Sequence, residues 1–252
     1  MSKSKKTKNE LEGKSIAIVA LGGSFADFVL ARINSQKYDE VWGINSIGAI
    51  FHVDRTFMMD PVSRFLDGDK AGNQTGIARE FLEKYKGPIY SCTKDDRVPN
   101  IVEYPLAEVI QDLTWAYFNN TVAYAVGFAI YKKVGKISFY GVDFSYKQNL
   151  NFAEAGRACV EFWCAIAMAK GIQVEVAHRS GLLDTNVPEN EKLYGYHRLE
   201  DPLVQKIVNG ALMVAKQSDL APPEPIDGKH DPVLIGRHDI EGVTYKKEEK
   251  DV

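Results

Sequence analysis

The chain has 252 residues, of which 45% are hydrophobic and 26% are charged. This apolar content is ordinary for a globular protein and too high for a disordered chain. No apolar stretch approaches the ~20 residues that a membrane-spanning helix needs, so the sequence predicts no membrane span. With 31 basic and 34 acidic side chains the formal net charge is −3, which provides no overall positive field for nucleic acid.

The two ends of the chain are polar and lack apolar periodicity. Residues 1–12 are rich in lysine and are predicted to be a flexible, solvated tail. Residues 217–252 are rich in proline and charge, which predicts an extended arm that either lies on a partner or is loosely ordered. The N-terminus lacks the apolar core of a signal peptide and cysteines are sparse, so we expect a cytoplasmic protein.

Between these ends, short apolar runs alternate with segments of helical spacing. The predicted strands are residues 15–21, 38–44, 55–59, 88–92, 136–142 and 172–177. The predicted helices are residues 25–33, 76–85, 120–134, 153–171 and 203–216. This alternation predicts an α/β fold, a Rossmann-like parallel sheet with helices on both faces. Residues 13–184 would form the nucleotide-binding domain, and residues 185–216 a small helical or loop addition.

Ligands bind open parallel sheets beyond the carboxyl ends of the strands, so polar residues that follow predicted strands are the candidate site. They are Gly22, Gly23, Ser24, Asn45, Ser46, Asp60, Thr93, Lys94, Asp143, Ser145, His178, Arg179 and Ser180. Asn119, Asn120 and Thr121 join them, because free N–H groups at the start of a helix favour phosphate.

Several of these residues have an equally plain structural interpretation. Gly22 and Gly23 either let a ligand approach the backbone or form a tight turn. Asn45 either binds a ribose or base edge or occupies a left-handed turn. Asp143 either binds a ribose or supports a loop.

Known catalytic and nucleotide-binding signatures are missing from the sequence. The full G-x-G-x-x-G fingerprint and the phosphate loop GxxxxGK[ST] are both absent. So are HExxH, CxxC and the G-x-S-x-G nucleophile elbow, which lowers the expectation of a structural metal or a generic hydrolase.

One long segment and several short ones resemble a known family. The segment NNTVAYAVGFAIYKKVGKISFYGVDFSY (119–146) resembles the core of the small bacterial sialyltransferases that use CMP-sialic acid. KSIAIVALGGSF, VWGINSIG, TFMMDP and IQVEVAHRSGLLD resemble other segments of that family, in the same order over residues 14–184. The arrangement is also similar to the MptE-like proteins, which are 6-hydroxymethylpterin diphosphokinase-like.

The resemblance implies a nucleotide or nucleotide-sugar donor in a pocket formed by these loops. The residues it assigns to the donor are Gly22, Gly23, Ser24, Asn45, Asn120, Thr121, Gly141, Asp143 and Phe144. The chain departs from the family at three positions. Leu21 and Asp60 stand where the sialyltransferases have asparagine, and Glu154 stands where they have the catalytic histidine.

The leading hypothesis is a glycosyltransferase-like enzyme that transfers a group from a nucleotide-activated donor to an acceptor hydroxyl. Glu154 or His178 would act as the base, provided for Glu154 that burial raises its pKa. Arg179 or Lys94 would stabilise the departing phosphate. Glu154 has a structural alternative in the first turn of its predicted helix.

Two further hypotheses stay open. The first is an MptE-like pyrophosphokinase, with Mg²⁺ held by Asp60, Asp143 or Glu154. The second is a non-catalytic nucleotide-binding protein. In it, aromatic side chains would stack on a base or line a contact between subunits. Whichever hypothesis holds, we expect a homo-oligomer, in which the tyrosine-rich segment 193–202 and the C-terminal arm pack on a second subunit. Those aromatic residues are Phe118, Tyr146, Tyr194 and Tyr196.

Overall fold

The computed structural model describes residues 9–68, 75–145, 149–195, 203–209, 211–216 and 219. The strands are β1 Ser15–Val19, β2 Glu40–Ile44, β3 Arg55–Phe57, β4 Ile89–Ser91, β5 Ile101–Glu103, β6 Lys136–Tyr140, β7 Gln173–Val176, β8 Leu203–Val208 and β9 Ala211–Lys216. The helices are α1 Phe25–Ile33, α2 Ser63–Leu66, α3 Thr75–Lys84, α4 Leu106–Leu113, α5 Thr121–Tyr131 and α6 Leu150–Ala169. None of the described helices combines the length and apolar character needed to cross a membrane.

Strands β1 to β7 form one parallel sheet in the order β5-β4-β3-β2-β1-β6-β7. From β1, successive strands are added on one side of the sheet as far as β5. The chain then returns to the other side of β1, where it forms β6 and β7. The order therefore reverses between β1 and β6, which is where ligands bind in sheets of this kind. The predicted α/β fold with a Rossmann-like parallel sheet is confirmed.

Alternate residues of the central strands face two different cores. Ile16 and Ile18 of β1 pack in the larger core together with apolar residues of α4, α5 and α6. Ala17 and Val19 pack on the opposite face, against Phe28 of α1. A strand buried on both faces reads as a continuous apolar run, which is why β1 is recognisable in the sequence.

Polar caps fix where the two long helices of the larger core begin. The Asn120 side-chain oxygen accepts a hydrogen bond from the Ala123 amide (3.1 Å), so α5 starts at Thr121. The Asn149 side chain accepts one from the Phe152 amide (3.1 Å) at the start of α6. Both contacts satisfy amides that the first turn of a helix leaves unpaired.

Contacts divide the chain into two compact units, with the boundary between Thr185 and Asn186. In the second unit, β8 and β9 form an antiparallel hairpin in which Leu203 pairs with Lys216 and Val208 with Ala211. The predicted helix over 203–216 is therefore wrong. Asn209 follows β8 with a φ of 50°, a left-handed conformation that suits a tight hairpin turn.

Some predictions fall on residues outside the described ranges. These are the tail as far as residue 8, Tyr146, Tyr196, and the arm over 217–252 apart from residue 219. Leu11, inside the segment predicted to be a tail, is only 1% exposed and belongs to the larger core.

Candidate functional site at the carboxyl edge of the sheet

The loops that follow β1 and β6 pack directly against each other. The Gly22 amide donates a hydrogen bond to the Gly141 carbonyl (2.8 Å). A Cβ on Gly22 would lie 2.6 Å from both Asp143 Oδ2 and the Gly141 carbonyl oxygen. Gly141 has a φ of +68°, and a Cβ there would lie 2.1 Å from the Ala20 carbonyl oxygen. Both glycines are therefore required by the contact between the loops.

Ser24 and Asp143 hold these two loops together. Ser24 is 2% exposed, and its amide donates to Asp143 Oδ2 (2.8 Å). The Ser24 hydroxyl donates to the other carboxylate oxygen and accepts from the Gly141 amide (2.8 Å). These contacts favour the loop-supporting interpretation of Asp143, because both of its oxygens already accept hydrogen bonds from the first loop.

Gly23 differs from its neighbours because the protein leaves space around it. The nearest atom to a Cβ at this position would be Asp143 Oδ2, at 3.8 Å, which is an ordinary contact distance. Since packing does not require glycine here, the missing side chain leaves room for a ligand at the loop surface.

Asn45 follows β2, the neighbour of β1, at the same edge of the sheet. Its φ of 54° confirms the left-handed turn that the sequence allowed. Its side-chain oxygen Oδ1 is buried and has no hydrogen-bond partner within the described part of the chain. A buried acceptor without a partner costs about 1–3 kcal/mol, so a donor supplied by a ligand would be stabilising.

The loop that follows β7 carries three of the predicted site residues. His178 and Arg179 are exposed, whereas Ser180 is 1% exposed. The Ser180 hydroxyl donates to the Val142 carbonyl (2.7 Å) and accepts from the Leu182 amide (3.0 Å), so it braces the loop.

Arg179 is paired with Asp27 in the first turn of α1. Arg179 Nε donates to Asp27 Oδ1 (2.8 Å), and Nη2 contacts the same oxygen. Hydrogen bonding by the side chain and the backbone amide of Arg179 holds the pKa of Asp27 below its usual value, against the opposing effect of burial. Ser24, Asp27, Asp143, His178 and Arg179 are thus brought together around the start of α1.

The remaining predicted polar residues lie apart from this cluster or are already paired. Asp60 forms an ion pair with Arg64 (2.6 Å). Lys94 is exposed, and so is Glu154, near the start of α6. Glu154 therefore lacks the burial on which its predicted role as a base depended. Within the described ranges, no group of three or more His, Cys, Asp or Glu residues is arranged to hold a metal ion.

The segment that enters α5 is closely packed. The Asn120 side-chain amide donates to the Gly156 carbonyl (3.1 Å), and Phe144 packs on Gly156, where a Cβ would lie 2.8 Å from the ring. Phe118 is stacked on Tyr124 and on Trp163, with ring centroids 4.8 and 4.7 Å apart. These two ring contacts argue against stacking of Phe118 on a base, and its predicted place in a contact between subunits stays a prediction.

Thr121 is partly buried at the first position of α5. Its assignment to the donor stays a prediction. Tyr194 is 77% exposed and belongs to the second unit, where its predicted stacking role also stays a prediction.

Sequence reasoning missed the groups that hold the loop after β7. Leu183 and Asp184 both have left-handed φ values, 54° and 50°. The Leu183 amide donates to Glu161 Oε1 (2.9 Å), and Arg157 pairs with Asp184 (2.9 Å). Both partners lie on α6 four residues apart, on one face of the helix, which is the only sequence signal for this contact. Asp27 was missed too, although an acid three residues after the Gly-Gly-Ser turn is a first-turn signal.

No protein-family model matches this chain, and no curated protein matches its sequence. Seven chains of solved structures match it. One is the sialyltransferase CstII from Campylobacter jejuni in complex with the substrate analogue CMP-3FNeuAc, at 17% identity and a TM-score of 0.43 over 68% of this chain and 82% of that chain. Another is the apo alpha-2,3-sialyltransferase from Campylobacter jejuni, at 15% identity and a TM-score of 0.45 over 72% of this chain and 83% of that chain. At such identities the likeness describes the fold alone.

Proposed function

We propose that this chain binds a nucleotide at the carboxyl edge of the sheet, near the reversal of strand order between β1 and β6. The observation that carries this proposal is the buried, unpartnered Oδ1 of Asn45. It lies at the same edge as Gly23, whose surroundings have room for a ligand. A ribose hydroxyl or a base amino group supplies the missing donor, and the open glycine accommodates the rest of the nucleotide.

We further propose that the chain is a glycosyltransferase-like transferase whose donor is a nucleotide sugar. The sequence resemblance over residues 14–184 supports this donor class. The acceptor oxygen bonds to the transferred sugar as the bond between that sugar and the donor phosphate breaks. The acceptor proton passes to His178, since an imidazole needs no burial to act as a base near neutral pH. Arg179 then stabilises the negative charge on the departing phosphate.

A binding experiment tests the proposal. Thermal unfolding is measured with nucleoside mono- and triphosphates and nucleotide sugars of the four common bases, each with and without Mg²⁺. A ligand at 100 times its dissociation constant stabilises the folded state by about 2.7 kcal/mol. We expect a metal-independent shift with a nucleotide sugar and with the matching monophosphate.

Asn45→Gly links that shift to the proposed site. Glycine adopts a left-handed φ without strain, and the substitution removes the unpartnered oxygen. We therefore expect the unliganded protein to be as stable as wild type or more stable, with nucleotide affinity at least tenfold lower. Asn209→Gly is the matched control, because it replaces another asparagine with a φ of 50° in the second unit.

Other outcomes would favour other functions or none of these. A shift that needs both ATP and Mg²⁺ would favour the pyrophosphokinase. Tight binding without turnover of any nucleotide sugar would favour a non-catalytic binding protein. Unchanged affinity in Asn45→Gly would contradict the proposed position of the nucleotide.

A further inference from the structure

The ion pair between Asp27 and Arg179 lies at the start of α1, beside the proposed nucleotide site. The Asp27 side chain is 18% exposed and the Arg179 side chain 55% exposed. Both Nε and Nη2 of Arg179 contact Asp27 Oδ1, and the Arg179 amide lies 3.4 Å from Oδ2. Of the two guanidinium edges that can hold a phosphate in bidentate fashion, the one formed by Nε and Nη2 is therefore occupied by a carboxylate.

The backbone of the first loop offers few amides to a phosphate, because the protein already uses most of them. The Gly22 amide donates to Gly141 and the Ser24 amide donates to Asp143. The amides of Phe25 and Asp27 donate to carbonyl groups of the same loop, at 3.0 Å each. The charged donor available for a phosphate at this point of the sheet is consequently the side chain of Arg179.

The charges around Arg179 are unfavourable for an anion. Asp27 is in direct contact with it, and Asp143 lies close enough to act on it electrostatically. A phosphate that approaches meets two carboxylates near one guanidinium. A phosphate that takes the Nε and Nη2 donors must displace Asp27, and an exposed ion pair of this kind exchanges at low cost.

We propose that Asp27 sets the affinity of the site for phosphate by competing with the ligand for the Arg179 guanidinium. This inference rests on the proposed function, because it concerns the phosphate of the same nucleotide. Asp27 is a specificity-determining residue in this account. It weakens the binding of every phosphate compound, and a ligand that also gains contacts elsewhere in the site offsets this loss.

The test compares Asp27→Asn, Arg179→Ala and the double variant with wild type by titration calorimetry. The probes are the nucleoside monophosphate that gives the largest thermal shift, the corresponding nucleoside, and inorganic pyrophosphate. Asp27→Asn keeps the shape of the side chain and removes its charge. We expect it to raise monophosphate and pyrophosphate affinity about threefold to fivefold, the range that an exposed ion pair allows, and to leave nucleoside affinity unchanged. In the Arg179→Ala background the same substitution should have no effect.

Glu80→Gln is the control for net charge, because it removes one carboxylate from an exposed ion pair with Lys84 on α3. It should leave all three affinities unchanged. Equal monophosphate affinity in wild type and Asp27→Asn would overturn the inference about Asp27 and leave the proposed nucleotide site standing. If neither phosphate probe nor nucleoside binds to wild type or any variant, both the proposed site and the inference are wrong.

Discussion

At the amino edge of the sheet, Glu40 accepts hydrogen bonds from Arg55 Nε (2.7 Å), Arg55 Nη2 (2.8 Å) and Trp42 Nε1 (2.7 Å). Arg55 is 8% exposed and also reaches the hydroxyl of Tyr90 (3.2 Å). At the carboxyl edge, the Oδ1 of Asn45 is buried without a partner among the described residues. At the amino edge this cluster pairs its buried charge internally, whereas at the carboxyl edge the Asn45 oxygen is unused. The other buried side-chain oxygen without a partner among the described residues is the hydroxyl of Thr56, inside β3.

This difference separates stability from binding along the same strands. Glu40 is the first residue of β2 and Asn45 follows its last, so a single strand carries a paired network at one end and an unsatisfied acceptor at the other. Fully paired polar networks stabilise a fold, whereas an unpaired buried acceptor destabilises it unless something binds there. The contrast predicts that substitutions at the amino edge change stability and those at the open carboxyl-edge positions change affinity.

The largest effect is expected from Glu40→Ala. Burial alone would lower the pKa of Arg55, and its hydrogen bonds to Glu40 more than offset this, so the pKa lies above its usual value. Removing Glu40 leaves a buried charge and an indole N–H without their partner, which should cost about 3–5 kcal/mol in urea unfolding. Glu10→Ala is the control, because Glu10 is also an acidic neighbour of Arg55 but is 77% exposed and makes a longer contact of 3.8 Å. A loss below about 1 kcal/mol for Glu40→Ala would place this pair among ordinary surface pairs.

Two adjacent glycines provide the next test. A Cβ on Gly22 would clash with backbone and carboxylate oxygens at 2.6 Å, so Gly22→Ala should cost about 1–3 kcal/mol of stability. Gly23→Ala meets nothing closer than 3.8 Å and should leave urea unfolding unchanged. If the nucleotide lies against Gly23, the added methyl group should lower its affinity about tenfold, or 1.4 kcal/mol. Full affinity in Gly23→Ala would mean that the ligand does not contact this loop.

Much of the sheet could be predicted from local sequence patterns. α1 has the predicted bounds, because Phe25–Ile33 lies between a Gly-Gly-Ser turn and a polar segment. β5 and α4 were not predicted. β5 is a short strand with one buried residue, Ile101, so no apolar run marks it in the sequence. α4 does carry a signal, because Val109, Ile110 and Leu113 follow Pro105 at helical spacing.

The hairpin and the site show two different limits of sequence reasoning. Residues 203–216 have enough apolar content for a helix, but Asn209 and Gly210 form an Asn-Gly pair, a strong hairpin signal that outweighs helical spacing. At the site, the polar residues that follow the predicted strands do lie beyond the carboxyl ends of those strands. Whether Asp143 faces a ligand or Ser24 depends on contacts across 119 residues, which no local pattern encodes.

Ser180→Ala tests whether a predicted binding residue only braces its loop. Its hydroxyl bridges the Val142 carbonyl and the Leu182 amide, so alanine leaves two buried groups without that partner. We expect a stability loss of about 1–2 kcal/mol in urea unfolding, with nucleotide affinity within twofold of wild type by calorimetry. A large loss of affinity in a fully folded variant would assign Ser180 to the ligand instead.

The smallest effect concerns the pH dependence that Asp27 confers. Hydrogen bonding to Arg179 keeps its pKa in the folded protein below the value of 3.8 for an unperturbed aspartate. A carboxyl group with a lowered pKa stabilises the folded state above that ordinary value, and this contribution is lost as the pH falls through the folded-state pKa. Wild type should therefore have a slightly higher urea midpoint than Asp27→Asn at neutral pH. This gap between the two midpoints should narrow below about pH 4.

The pH dependence of that gap distinguishes an ion pair from a packing effect. Val29→Ala, on the same helix, removes apolar contact without changing any charge, so its difference from wild type should stay constant over the same pH range. A constant gap for Asp27→Asn would mean that Asp27 is not ionically coupled to Arg179 in solution. The guanidinium would then be free at all times, and competition for it could not regulate phosphate affinity.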